Sequence, residues 1–143
     1  MKTVASILAV KGSEVFRVAP GASVYEALQI LAEKNAGALV VTEGSKLVGI
    51  ISERDYARKV ALVDRTSRDM LVSEIMSSDV KTVAPTASIE ECMELMTERH
   101  IRHLPVLKDD ELVGVVSIGD VVKAVIADLA AMVEQLDSYI RGR

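Results

Sequence analysis

With 143 residues, half of them hydrophobic, the chain can bury one good core, and one Phe, three Tyr and no Trp mean that the core is built from Val, Ile, Leu, Ala and Met. The same shortage of aromatic rings excludes base stacking as a route to nucleic acid, and a net charge of −4 argues against a phosphate-backbone binder. A lone cysteine, Cys92, excludes an intrachain disulfide and a Cys-based zinc site, and reads as a buried, inert thiol of a reducing compartment.

The opening "MKTVASILAVKGSEV" carries a short apolar run that Lys11 and Glu14 end. It is too short for a signal-peptide core with its cleavage site, and no stretch approaches the ~18 consecutive apolar residues of a membrane span. The expectation is a soluble, cytoplasmic protein without membrane or nucleic-acid partners.

The next elements occur twice. Residues 18–55 lie without a gap on residues 83–120, with 14 identities in 38 positions. Val15–Val18 and Val80–Val83 read as short strands stopped by Pro20 and Pro85. Ser23 and Ser88 then read as N-caps, with Glu26 and Glu91 three residues on as capping-box partners. The helices that follow place Val24, Ala27, Leu28 and Leu31 on one face, and Ile89, Cys92, Met93 and Met96 on the matching face.

Two apolar strands follow in each copy, "ALVVT" with "LVGII" and "HLPVL" with "LVGVV", joined by "EGSK" and "KDDE" as hairpin turns. Their apolar runs predict burial on both faces. A second helix begins after Ser52 and after Ser117. Each repeat thus reads strand, helix, strand, strand, helix: an α/β fold in which two pseudo-twofold-related copies cover each other's apolar faces through small sheets. The predicted divisions are repeat 1 at 12–63, a connection at 64–79 holding a short helix at Ser73–Met76, and repeat 2 at 80–136. Beyond Asp120, Val122, Val125, Ile126, Leu129, Met132, Val133, Leu136 and Ile140 recur at helical steps, predicting a long amphipathic helix that exceeds what one repeat needs.

Both copies end on a strand, a Gly, two apolar residues and Ser-x-x-Asp: "LVGIISERD" and "LVGVVSIGD". With "RHLPV" upstream of the second, this tandem unit resembles the cystathionine-β-synthase (CBS) domain, and two copies resemble a CBS pair, or Bateman module. "SERDYARK" and "SIGDVVKAVI" further resemble small CBS-pair proteins of bacteria and plant organelles. The resemblance implies a regulatory module that is not an enzyme. Such modules bind AMP, ADP, ATP, NAD(H) or S-adenosylmethionine in clefts between the repeats, dimerise, and act on an effector protein in trans. It requires no cofactor and no metal. A module that only binds proteins, or a sensor of S-adenosylmethionine, is the alternative.

By the family's pattern the adenine slot of the second copy is bordered by Thr82, Val83, Ile101, Arg102 and His103, with Pro105 shaping the strand. The ribose falls to Ser117, Ile118, Gly119 and Asp120. A carboxylate in the first turn of a helix can accept two bonds from vicinal hydroxyls, and free N–H groups there suit a phosphate. Capping alone would account for Ser and Asp in one copy; repetition in register favours ligand contact beside capping. The first copy offers Arg17, Val18, Ala36, Gly37, Ala38, Ser52, Arg54 and Asp55, with Val40 in place of Pro105. Arg17 is bulky where Thr82 is small, and Arg54 stands where the second copy has Gly119, so the clefts are expected to differ. Arg54 is the favoured phosphate cation; Arg58, Lys59, Arg99, Arg102 and Lys123 are weaker candidates. A His103–Ser117–Asp120 catalytic triad is disfavoured, because Ala38 replaces His103 in the first copy. The stretch before the first copy has three residues more than its counterpart, which predicts a loop at Lys11–Ser13 beside one cleft.

Overall fold

The computed structural model describes residues 2–63 and 65–142. In chain order it has helix α1 (Val4–Lys11), strand β1 (Arg17–Val18), helix α2 (Val24–Lys34), strands β2 (Ala38–Glu43) and β3 (Lys46–Ser52) and helix α3 (Glu53–Lys59). A 3-10 turn (Ala61–Val63), helix α4 (Val72–Ile75), helix α5 (Ile89–Arg99), strands β4 (His103–Lys108) and β5 (Glu111–Ser117) and helix α6 (Ile118–Ile140) follow. The fold is mixed α/β, with two small sheets. Two compact units divide it: Glu14–Lys81 with Asp109–Val113, and Met1–Ser13 with Thr82–Lys108 and Gly114–Arg143. Helix α1, first in the chain, therefore belongs with the second repeat.

In the unit of the first repeat, β1 pairs parallel with β2, and β2 pairs antiparallel with β3. Gly44 turns the hairpin at φ +62°, a conformation a side chain would strain. Leu39–Thr42 of β2 are all buried, as expected, but β3 alternates, with Gly49 and Ile51 buried between half-buried neighbours. The expectation of two buried faces thus fails for β3, and β5 alternates in the same way. Helix α2 starts where the Ser23 hydroxyl accepts the Glu26 N–H (3.1 Å) and buries Val24, Ala27 and Leu31. Helix α4 docks on the entry to α2: Val72 and Ser73 N–H groups donate to the carbonyls of Ala22 (2.8 Å) and Pro20 (3.0 Å). Just beyond α4, Ser77 and Ile50 exchange two backbone bonds (2.9 and 3.0 Å). A Cβ on Gly49 would lie 2.5 Å from the Met76 sulfur, so the glycine admits this crossing.

In the unit of the second repeat, α5 begins with the Ser88 hydroxyl accepting the Glu91 N–H (3.1 Å) and buries Ile89, Cys92 and Met96, while Met93 is exposed. Burial, then the Glu91 charge, push the Cys92 thiol pKa up, in keeping with an inert thiol. Asp109 and Asp110 turn the β4–β5 hairpin, both at positive φ, which Asp tolerates better than most residues. The predicted strand Val80–Val83 is reduced to one parallel bridge, Val83 to Val106. Val83 N–H donates to the Pro105 carbonyl and Leu107 N–H to that of Val83. The next rung would need an N–H from Pro105, which has none. In the first repeat Val40 occupies that place, its N–H reaches the Phe16 carbonyl (3.2 Å), and the pairing lengthens into β1.

Helix α1 repeats the docking of α4. Val4 and Ala5 N–H groups donate to the carbonyls of Ala87 and Pro85 (both 2.9 Å), and Leu8 crosses Gly114, where a Cβ would lie 2.7 Å from its Cδ2. It differs in length, eight residues against four. Lys11 is consequently the last helical residue rather than the start of a loop, and the chain turns at Gly12 (φ +94°). Helix α6 runs 23 residues as expected, yet buries only Val121 and Ala124. Among the described residues no helix is long and apolar enough to cross a membrane, and no cluster of three potential metal ligands occurs.

Candidate functional site

Strands β3 and β5 run directly into helices α3 and α6, and the junction is a Ser three residues before an Asp. At the second junction the Ser117 hydroxyl accepts the Asp120 N–H (3.2 Å), and Asp120 Oδ2 accepts the Ser117 N–H (2.8 Å). At the first, the Ser52 hydroxyl accepts the Asp55 N–H (3.3 Å), while the Ser52 N–H (2.9 Å) and hydroxyl (3.1 Å) donate to Asp55 Oδ2. Each is a reciprocal capping box that satisfies two otherwise orphaned N–H groups. The box predicted at Ser23–Glu26 and Ser88–Glu91 forms only its first half, the serine hydroxyl on the N3 N–H. The capping at Ser–Asp is therefore reciprocal where that at Ser–Glu is one-sided. The two carboxylates are held alike, with side chains 16% (Asp55) and 17% (Asp120) exposed.

Backbone bonds gather the remaining residues. Ile118 N–H donates to the Arg102 carbonyl (2.8 Å), which joins Ile101–His103 to Ser117, Ile118, Gly119 and Asp120. The Val83–Pro105 bond (3.1 Å) ties Thr82 and Val83 to the same strand, β4. The second-copy set thus lies in one unit. The first-copy set lies in the other: Glu53 N–H donates to the Gly37 carbonyl (3.2 Å), Ala38 pairs with Ser52, and Arg17 and Val18 pair with Val40 and Val41. Val18 is buried; Arg17, Gly37 and Arg54 are exposed. A Cβ on Gly119 would meet only the Ser117 hydroxyl, at 3.6 Å, so nothing in the chain itself demands glycine there. Thr82 and Val83 also border an open groove of about 610 Å³ that Glu91, Glu94 and Glu98 make acidic.

The sequence places Lys11 beside one cleft, as part of a loop, and gives it no contact; the structure supplies the contact. Lys11 Nζ donates to Asp120 Oδ2 at 2.7 Å and to the Val115 carbonyl at 2.9 Å. In the other unit the carbonyl equivalent to that of Val115 belongs to Ile50, and it accepts the Ser77 N–H instead. An ammonium group has replaced a backbone bridge. Asp55 has a looser partner, Lys59 at 3.5 Å one turn along its own helix, and Lys59 also donates to the Ile75 carbonyl (2.8 Å). The signal that finds Lys11 is the register of α1 on α4, which shows the first helix running on past the point where the other stops.

Burial alone would raise the Asp120 pKa. The Lys11 hydrogen bond, the Ser117 N–H and the Lys11 charge together bring it below the usual carboxylate value. His103 lies within the same field: burial lowers its pKa, the Lys11 and Arg102 charges lower it further, and Asp120 opposes them. A neutral imidazole, an ionised carboxylate and an ammonium therefore share one end of β4 and β5. Asp120, Lys11 and Lys123 also line a groove of about 400 Å³ along α1 and α6.

The profile of the CBS domain matches residues 8–62 and 72–127. The mitochondrial CBS domain-containing protein CBSX3 of Arabidopsis thaliana is 43% identical over 125 residues, covering 84% of this chain; the chain spans 61% of that relative's length. YhcV of Bacillus subtilis, another CBS domain-containing protein, is 33% identical over 108 residues, 76% of each chain. Among solved structures, a protein with CBS domains from Burkholderia ambifaria superposes with a TM-score of 0.86 at 50% identity, covering 89% of this chain and 96% of that one. The CBS domain pair of MJ0100, solved with 5′-methylthioadenosine and S-adenosyl-L-methionine, superposes with a TM-score of 0.78 at 27% identity, covering 90% and 98%. CBS pairs are regulatory modules that bind adenosine-containing ligands. With both repeats matched, and the Ser–Asp box at the same place in each, this chain belongs to the CBS domain family as a tandem pair.

Proposed function

We propose that this chain is a sensor of adenine nucleotides, AMP, ADP, ATP or NAD(H), and that it works as a cytoplasmic homodimer which regulates a partner protein in trans rather than catalysing a reaction. In this reading residues 12–63 and 80–136 are the sensing repeats and 64–79 connect them. The observation that carries it is the duplicated Ser–Asp box, which holds a half-sequestered carboxylate in the first turn of α3 and of α6. Asp120 takes the ribose hydroxyls of one nucleotide and Asp55 those of another, with Ser117 and Ser52 beside them. Thr82, Val83, Ile101, Arg102, His103 and Pro105 border the adenine of the first; Arg17, Val18, Gly37, Ala38 and Arg54 form the altered counterpart. Gly119 supports the same reading, since a glycine that the fold does not require suits the close approach of a ligand.

A second reading, S-adenosylmethionine, is favoured by the ligands of MJ0100. The Lys11 ammonium at 2.7 Å from Asp120 weighs against a sulfonium cation there and for a phosphate. Calorimetry on the purified protein with AMP, ADP, ATP, NADH and S-adenosylmethionine decides between them. The expected result is binding of phosphorylated adenosines ahead of S-adenosylmethionine. A folded protein that takes up none of the five is a protein-interaction module with unused clefts.

A further inference from the structure

Helix α1 and the start of α6 run antiparallel within one compact unit, with Lys2 beside Asp128 at one end and Lys11 beside Asp120 at the other. Between them lies the groove of about 400 Å³, a volume within the range of small-molecule sites. Its floor is Ile7 and Ala124, 7% and 8% exposed, and Val10, 90% exposed, forms its lip. From Asp120 to Asp128 helix α6 advances about 12 Å, which sets the length of the groove.

The walls are the sides of two helices, whose backbone N–H and C=O groups are spent on their own turns. Ser6 is spent as well: its hydroxyl donates to the Thr3 carbonyl (2.6 Å) and accepts the Thr3 N–H (3.1 Å). Nothing is left to read a base or to satisfy the backbone of an extended peptide. What remains is aliphatic surface and charge. Asp120 matches Lys11 at 2.7 Å, and Asp128 matches Lys2 loosely at 3.8 Å. Lys123, which also lines the groove, has no ion pair among the described residues. The groove therefore carries one net positive charge in a chain whose net charge is −4.

We propose that this groove binds one aliphatic monoanion, a fatty carboxylate of about ten carbons, with its head on the Lys123 ammonium and its chain along Ile7, Val10, Ala124 and Ala127. Burial of the chain drives the binding, and the unmatched ammonium selects the sign of the head. An acyl chain asks for no hydrogen bonds, which is what the helix sides can offer. The site does not depend on the nucleotide reading, although both border on Asp120.

Calorimetry with decanoate on the full chain tests this, with circular dichroism checking the fold of each variant. The expected result is one decanoate per chain. Octanoate, two methylenes shorter, should bind about tenfold more weakly, and decyltrimethylammonium should lose about tenfold as well for its wrong charge. Lys123→Glu should weaken decanoate about tenfold. Ala127→Trp, at an exposed position, should fill the groove and abolish uptake while leaving AMP binding where the wild type has it. No saturable uptake, or uptake that both variants leave intact, overturns the site. Equal uptake of decanoate and decyltrimethylammonium overturns the anion. Uptake lost only on Met93→Glu puts the chain in the apolar groove between α5 and α6 and overturns the location. Vesicles of phosphatidylglycerol that sediment the protein, when free decanoate is not taken up, make the target a membrane surface and overturn a single-molecule site.

Discussion

Lys11 and Asp120 stand more than a hundred residues apart in sequence, and their side chains meet at 2.7 Å. The contact exists because α1 extends beyond the length of its counterpart α4 and ends where β5 passes into α6. It fastens the start of the chain to the carboxylate proposed to hold a ribose. Under the proposed function, a ligand that uses Asp120 must share it with Lys11 or displace it, which would couple the first helix to occupancy.

Replacing Lys11 by Met removes a partly exposed ion pair and a bond to the Val115 carbonyl, and should cost roughly 1 kcal/mol of stability. Under the proposed function it should also lower the preference for AMP over adenosine about tenfold, because the ammonium recognises the phosphate while competing for the carboxylate. Calorimetry with the two ligands measures the ratio. An unchanged ratio would leave Lys11 as a structural fastening only.

Asp120→Ala and Asp55→Ala each remove one half of a capping box, worth about 1 kcal/mol of stability. Each should abolish or weaken one ligand site by about 1–3 kcal/mol, as for hydrogen bonds to a charged group, and spare the other. Stoichiometry from titrations of the two variants distinguishes this from loss of a single shared site.

Three glycines should respond differently to alanine. Gly49→Ala meets the Met76 sulfur at 2.5 Å with the Ser77 carbonyl behind it at 3.1 Å, and should cost about 1–3 kcal/mol. Gly114→Ala meets side-chain atoms of Leu8 alone, the nearest at 2.7 Å and with no backbone behind them, and should cost less. Gly119→Ala should melt almost as the wild type does while weakening nucleotide binding. Thermal melts of the three, with and without AMP, give the order.

The lowered pKa of His103 makes stability depend on pH. The unfolded chain takes up a proton near the ordinary value of 6.5, before the folded protein does. Stability is therefore full above that value and declines as pH falls below it towards the folded pKa. Asp120, held below its ordinary value of 3.8, adds stability at neutral pH that is lost only in stronger acid. Urea unfolding between pH 7.5 and 4.5 should show the decline, and His103→Gln should flatten its upper part. A wild type with no slope there would show that His103 titrates alike in both states.

The repeat makes most of the fold legible in the sequence. An apolar strand that ends in Ser-x-x-Asp allows few arrangements, since the serine hydroxyl and the carboxylate both find helix N–H groups within three residues. Strand length was harder to read. Pro105 ended a ladder from the partner strand, and only the pairing register shows which rung loses its donor. The apolar residues of the early stretch Val4–Lys11 occupy no single face, so its pattern does not announce a helix.

Local chemistry in the sequence by itself determined the duplicated elements, their serine caps, the hairpin turns and the positions of both carboxylates. Each of these depends on residues within a few positions of one another. The tertiary structure alone decided that α1 joins the second repeat, that Lys11 reaches Asp120, and that half of α6 is left bare. Those outcomes rest on where helix ends land in space. A single added turn of helix carries a side chain about 5 Å, enough to make or miss an ion pair.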